Sequence, residues 1–169
     1  MITECTRVFK TPQSLFHVIA IALTFMTASA FAAGKINYGS RVGMQVTVIS
    51  MSGLDTSNAI IRTKHTREDA IEFCREYVGN VSEKCIKDEL AVRLNDEITA
   101  DCIKLVFTNF WGDRIQFRGR NTKKGDFGPN YILVNLGTGT IADGSSASDY
   151  PTNMEIFAAL CPRTAPVDP

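Results

Sequence analysis

The chain has 169 residues, with 18 basic and 18 acidic side chains and a formal net charge of zero. That balance gives no global pull toward nucleic acid or an acidic membrane face. Five cysteines and a single tryptophan are the first places to look for staples and contacts.

In chain order, Arg7 and Lys10 precede a span from Thr11 to Gly34 that holds no Asp, Glu, Lys or Arg. Leu15 to Ala33 is almost continuously apolar and closes on small residues. Ala28-Ser29-Ala30 and Ala30-Phe31-Ala32 both fit the small-x-small cleavage pattern. Residues 1–33 are therefore expected to be a secretory signal peptide. About 20 apolar residues also suffice for a retained membrane anchor. The crowding of small residues at one end and the weakly charged downstream flank favour cleavage, with no stable membrane span afterwards. The expected address is the periplasm or the cell exterior. Residues 34–161 are one domain by length, and 162–169 are expected to form a free, proline-rich tail.

Val42 to Met51 alternates as a strand, with Val42, Met44, Val46 and Val48 on one face. Gly53-Leu54-Asp55 turns the chain, and Ala59 to Lys64 returns as a second strand. Thr66 to Val78 reads as a helix with Thr66 as N-cap, Asp69 at the capping-box position and Gly79 as its stop. Ser82 caps a second helix running to about Leu94, with Ile86, Leu90 and Leu94 on one stripe. The short connection makes these helices antiparallel neighbours. Ile98 to Thr108 is the third strand, with Ile103, Leu105 and Phe107 together. Trp111-Gly112-Asp113 turns into a fourth strand, Arg114 to Arg120. Ile115 and Phe117 face one side of it; Arg114, Gln116, Arg118 and Arg120 face the other. After a polar loop, Tyr131 to Leu136 and Thr140 to Ala142 form a last hairpin. Thr152 and Glu155 form a capping box for a final helix that buries Ile156, Phe157, Leu160 and Cys161.

Export removes Cys5 and leaves Cys74, Cys85, Cys102 and Cys161, an even count that argues for two disulfides. Cys74 and Cys85 lie almost symmetrically about the helix–helix turn and should come level. The expected pairs are Cys74–Cys85 and, by elimination, Cys102–Cys161. A redox-active pair is disfavoured because no C-x-x-C is present. One residue resists the pattern: Cys102 alternates with Ile103 and so points away from the Ile103–Leu105–Phe107 face. The element order predicts an α+β fold. Its antiparallel sheet has about six strands in hairpins, with a disulfide-linked helical hairpin and a C-terminal helix.

Candidate contact residues cluster on one hairpin. Phe110 and Trp111 sit at its tip, where exposed aromatics would form a wedge for a partner. Arg114, Arg118 and Arg120 line up at strand spacing, with Lys123 and Lys124 following, and would hold a polyanion such as an acidic glycan. A solvated strand face that discourages edge aggregation needs the same residues. His65, the sole histidine after residue 33, stands just before a helix N-cap, where the helix dipole disfavours imidazolium. The serines of Asp143 to Asp149 do not form a G-x-S-x-G elbow. Neither a metal-ligand pattern nor a cofactor fingerprint is read, and no catalytic residue is assigned.

Three segments carry a family likeness. They are Phe73-Cys74-Arg75-Glu76-Tyr77 with Cys85, Ala100-Asp101-Cys102 leading to Phe110–Phe117, and Asp143–Ser148 ahead of Leu160-Cys161-Pro162. Together they resemble a group of small, uncharacterised exported proteins of Gram-negative bacteria. That resemblance implies a periplasmic address and brings no activity. Ser146-Ala147-Ser148 is also similar to the Ser-Ala-Ser-Gly-type loop of periplasmic lysozyme inhibitors, with Asp149 where that pattern has Gly. The helical pair is foreign to that fold. The leading expectation is a non-enzymatic envelope domain that binds a macromolecule, protein or anionic glycan. The alternatives are an inhibitor of a lysozyme-like hydrolase or protease, and an enzyme of unrecognised type.

Overall fold

In the computed structural model, residues 34–123 and 128–166 are described. The expected signal peptide and Lys124 lie outside them. The β-strands are β1 (Lys35–Asn37), β2 (Gln45–Ser52), β3 (Ala59–Lys64), β4 (Glu97–Asp101), β5 (Val106–Thr108), β6 (Arg114–Arg120) and β7 (Tyr131–Asn135). The α-helices are α1 (Arg67–Phe73), α2 (Glu83–Leu90) and α3 (Tyr150–Leu160). All seven strands form one antiparallel sheet in simple chain order. Helix α3 touches β1, β3 and β4, and its Phe157 stacks on Phe117 of β6 at 4.7 Å. The sheet therefore curls around α3, and the core lies between them.

Alternation explains the sheet. Ala59, Ile61 and Thr63 of β3, Ile98 and Ala100 of β4, and Ile115 and Phe117 of β6 are buried, and their neighbours are more exposed. Such period-two patterns fix which face meets the core. Strand β2 starts at Gln45, so Val42 and Met44 precede it; Val42 lies exposed in the loop. Gly43 in that loop has φ of +79°, and an added Cβ would meet the Phe73 backbone at 2.7 Å. Only glycine permits so close an approach of the loop to α1.

The predicted third strand is instead two, β4 and β5, joined by a tight turn. Asp101 Oδ1 accepts hydrogen bonds from the Ile103 and Lys104 amides, closing an Asx turn, and Leu105 adopts φ of +58°. Ile103 is consequently 75% exposed rather than aligned with Phe107. The break also resolves the anomalous Cys102. It leaves the strand alternation and bonds Cys161 at the end of α3. Among the described residues the strands number seven, through this split and through β1, whereas Thr140–Ala142 forms no strand and meets β7 at a Val134–Ile141 bridge.

The other disulfide, Cys74–Cys85, joins the two helices. Thr66 and Asp69 form the capping box, and Gly79 ends the segment in a left-handed conformation. The expected single helix is α1 followed by a π turn at Cys74–Val78. Helix α2 is capped by Ser82 and stops at Leu90 rather than Leu94. A small separate core of Ala70, Cys74 and Ile86 sits between the helices.

Helix α3 begins two residues before the expected cap. Asp149, at φ of +52°, precedes it without making a side-chain capping bond, and Thr152 is buried within the helix. Ile156, Phe157, Leu160 and Cys161 are buried as expected. The start of the tail is not free. Arg163 donates from its amide and its Nε to Asp55, at 2.7 and 3.1 Å, and Ala165 packs on the core. Among the described residues no helix is long and apolar enough to cross a membrane.

Candidate functional site

The turn between β5 and β6 is built around Asn109. Its Oδ1 accepts from the amides of Trp111 at 3.0 Å and Asp113 at 2.9 Å, and its own amide donates to the Asp113 carbonyl. This Asx chemistry turns the chain and leaves Gly112 at positive φ. The turn carries features on two sides.

On one side stands Trp111, 46% exposed. Its Nε1 donates to the Tyr38 carbonyl at 3.1 Å, and its ring meets the Tyr38 ring edge-on at 6.1 Å. An exposed aromatic is thus held in one orientation. Beneath it lies a polar cluster. The Tyr38 hydroxyl donates to Glu89, and His65 stands edge-on to Tyr38 with its Nε2 3.7 Å from Glu89. The His65 side chain is 12% exposed, and both ring nitrogens are buried without a hydrogen-bond partner. Burial lowers its pKa, and the nearby Glu89 and Asp69 carboxylates oppose that only in part. Burial, reinforced by Glu89, raises the Tyr38 pKa.

Asp69 completes the support. It is fully buried, accepts from the Thr66 amide and the Thr47 hydroxyl, and pairs with Lys35 at 3.1 Å. Burial works to raise its pKa, but hydrogen bonds from Thr66, Lys35 and Thr47 outweigh burial and hold the carboxyl below its ordinary value. Strands β1 and β2 are thereby tied to the start of α1.

Phe110 does not share the tip with Trp111. It is 1% exposed and belongs to the core, and its carbonyl accepts from the Asn95 amide. The turn rotates successive side chains to opposite sides, so Trp111 alone faces outward. The arginine stripe is also altered. Arg114 and Arg118 are exposed on the face opposite Phe117, and Arg118 bonds Gln116 at 3.0 Å. Between Phe117 and Arg120 the register shifts, with Gly119 at φ of +80°. That bulge pairs Arg120 with Tyr131 and so puts it on the other face. Arg120 then lies over the Tyr131 ring at 5.9 Å. Three arginines in line become two.

On the other side of the turn is a cavity of about 270 Å³. Asn109 and Asn153 form its buried polar floor, with Ile115 and Leu133 beside them, and Asp113, Ser148 and Asp149 stand at its walls. Burial, and then the Asp113 charge, raise the Asp149 pKa. The Ser146–Ser148 stretch is a 3-10 turn closed by the Ser148 hydroxyl donating to the Ser145 carbonyl at 2.8 Å. Asn109, Asp113, Asp149 and Asn153 were not singled out from the sequence as a group, because no local pattern joins residues from β5–β6 and α3. The available signals were the Asn-x-x-x-Asp spacing of the turn and Asp149 ahead of Tyr150-Pro151.

Among the described residues no group of three or more His, Cys, Asp and Glu is placed to hold a metal ion. Comparison with protein-family models, with curated proteins and with solved structures found no match.

Proposed function

We propose that the chain is an exported, non-enzymatic binding domain whose contact surface is the corner around Trp111. The observation that carries this reading is the state of Trp111: nearly half exposed, yet fixed by a hydrogen bond and a ring contact to Tyr38. A rigid aromatic presents large contact area at low entropic cost, which is the character of interface hot spots. Export is supported by two disulfides, which persist in oxidising compartments. His65 faces Tyr38 and Glu89 rather than a nucleophile, which weighs against a histidine-dependent enzyme. The partner is an envelope macromolecule.

The test is capture of a cell-envelope extract on immobilised protein, quantified by mass spectrometry, with Trp111→Ala beside Ile103→Ala. Ile103 is a more exposed apolar residue on a different turn. The reading expects at least one component to be lost with Trp111→Ala and kept with Ile103→Ala. Equal recovery with both variants and the unaltered protein would overturn it.

A further inference from the structure

We infer that the cavity beside the Asn109–Asp113 turn is a binding site for a single sugar ring, held by Asp113, Asp149 and the Asn153 side-chain amide. The inference rests on the reading of this corner as a binding surface and gives it a ligand class.

Asn153 supplies the observation that points to a ligand. It is only 5% exposed, and a buried amide ordinarily has its hydrogen bonds made. Its Oδ1 accepts from Asn109 Nδ2 at a long 3.4 Å, while no protein acceptor among the described residues meets its Nδ2. That nitrogen is not among the sealed, unpartnered atoms, and Asn153 lines the cavity, so its N–H groups open into the cavity. Asn109 Nδ2 is no better served: its other bond, to Asp113 Oδ2, is also 3.4 Å. Both distances exceed the usual 2.7–3.2 Å range.

Asp113 and Asp149 line the same space. Asp149 stands at the start of α3 without capping it, so its side chain is free for the cavity it lines. Among the described residues no lysine or arginine lines the cavity to neutralise Asp113 and Asp149. The site therefore offers donors at the floor and acceptors at the wall. A lysine or arginine side chain would satisfy the carboxylates and leave the Asn153 donors facing another donor. An anionic glycan would meet two carboxylates. A neutral ring of vicinal hydroxyls both accepts from Asn153 and donates to the carboxylates. Leu133 and Ala142 supply apolar wall for its C–H edges. The volume lies just under the roughly 300–1,000 Å³ of sites for whole small molecules. It suits one ring of a larger glycan.

The experiment is an NMR titration of the isotopically labelled protein. The probes are methyl α-mannoside, methyl β-galactoside and methyl β-N-acetylglucosaminide, each at millimolar concentrations. N-acetylarginine methylamide and methyl galacturonate are the cationic and anionic arms. The inference expects at least one neutral glycoside to shift the Asn153 and Asn109 side-chain amides and the backbone amides of Asp113 and Asp149. Asp149→Asn keeps a residue that tolerates positive φ, and should weaken that binding about tenfold, the worth of one charge-assisted hydrogen bond. Ile103→Ala should leave it in place, because that exposed side chain stands on a different turn and does not line the cavity. Equal envelope capture by Trp111→Ala and the unaltered protein would thus overturn the Trp111 contact alone, while the glycoside shifts test this cavity separately. Shifts with the cationic or anionic probe alone, shifts elsewhere on the protein, or no shift with any neutral glycoside would overturn the inference.

Discussion

The two disulfides should differ in what they contribute, and the difference can be worked from their positions. Cys102–Cys161 closes a sequence separation of 59 residues, and Cys74–Cys85 closes one of 11. In the chain-entropy account, cross-linking restricts the unfolded chain more when the closed loop is longer. The relation gives about 4.3 kcal/mol for the long loop and about 2.8 kcal/mol for the short one. Packing widens the gap. Cys102 and Cys161 are both buried in the main core, whereas Cys85 lies half-buried beside the small helical core. The perturbation is a pair of double variants, Cys102→Ala/Cys161→Ala and Cys74→Ala/Cys85→Ala. Urea unfolding followed by circular dichroism and by Trp111 fluorescence gives both stabilities and checks that the two probes coincide. The variant lacking the long-loop bridge should be the less stable by more than about 1 kcal/mol. The reverse order, or a long-loop variant within about 1 kcal/mol of the unaltered protein, would refute the reasoning.

Three further outcomes follow from the site. Phe110→Ala should cost about 3–5 kcal/mol as a core truncation, whereas Trp111→Ala should cost about 1 kcal/mol for its hydrogen bond plus a share of its half-buried area; denaturant midpoints decide. Stability should fall as pH is lowered below about 6.5, because unfolded His65 takes up a proton that the buried folded ring resists. The slope is bounded by about 1.4 kcal/mol per pH unit, and His65→Gln should flatten it between pH values of about 7.5 and 5.5. Asp69→Ala should cost about 1–3 kcal/mol, since it leaves the Thr47 and Thr66 donors unmet and Lys35 with Glu72 as its remaining carboxylate. Its stabilisation is present above the ordinary carboxylate pKa and is lost as acid drives the pH through the lower folded value.

Local chemistry was legible in the sequence wherever one segment carried its own signal. Thr66 with Asp69 marked the start of α1, Ser82 marked α2, and alternation located β3 and β6. Cysteine parity and the position of the helix turn led to both disulfide pairs. The misses come from features that depend on distant partners. Nothing turn-like in Cys102–Leu105 reveals a reversal whose cause is the Asp101 side chain. Gly119 reads as an ordinary strand residue until the register against β7 makes it a bulge and turns Arg120 over. Phe110 and Trp111 look equivalent side by side, and only the Asn109-braced turn sends one inward. The cavity joins Asn109 to Asn153, residues brought together by the docking of α3 into the curled sheet.

Trp111 is the only tryptophan of the chain, so its emission reports on the proposed contact without labelling. The decisive measurement is its fluorescence and its quenching by acrylamide, alone and with the envelope component recovered by capture. Contact at this corner predicts a blue shift and loss of quencher access on binding. Unchanged emission and unchanged quenching in the bound state would contradict the assignment of Trp111 to the binding surface.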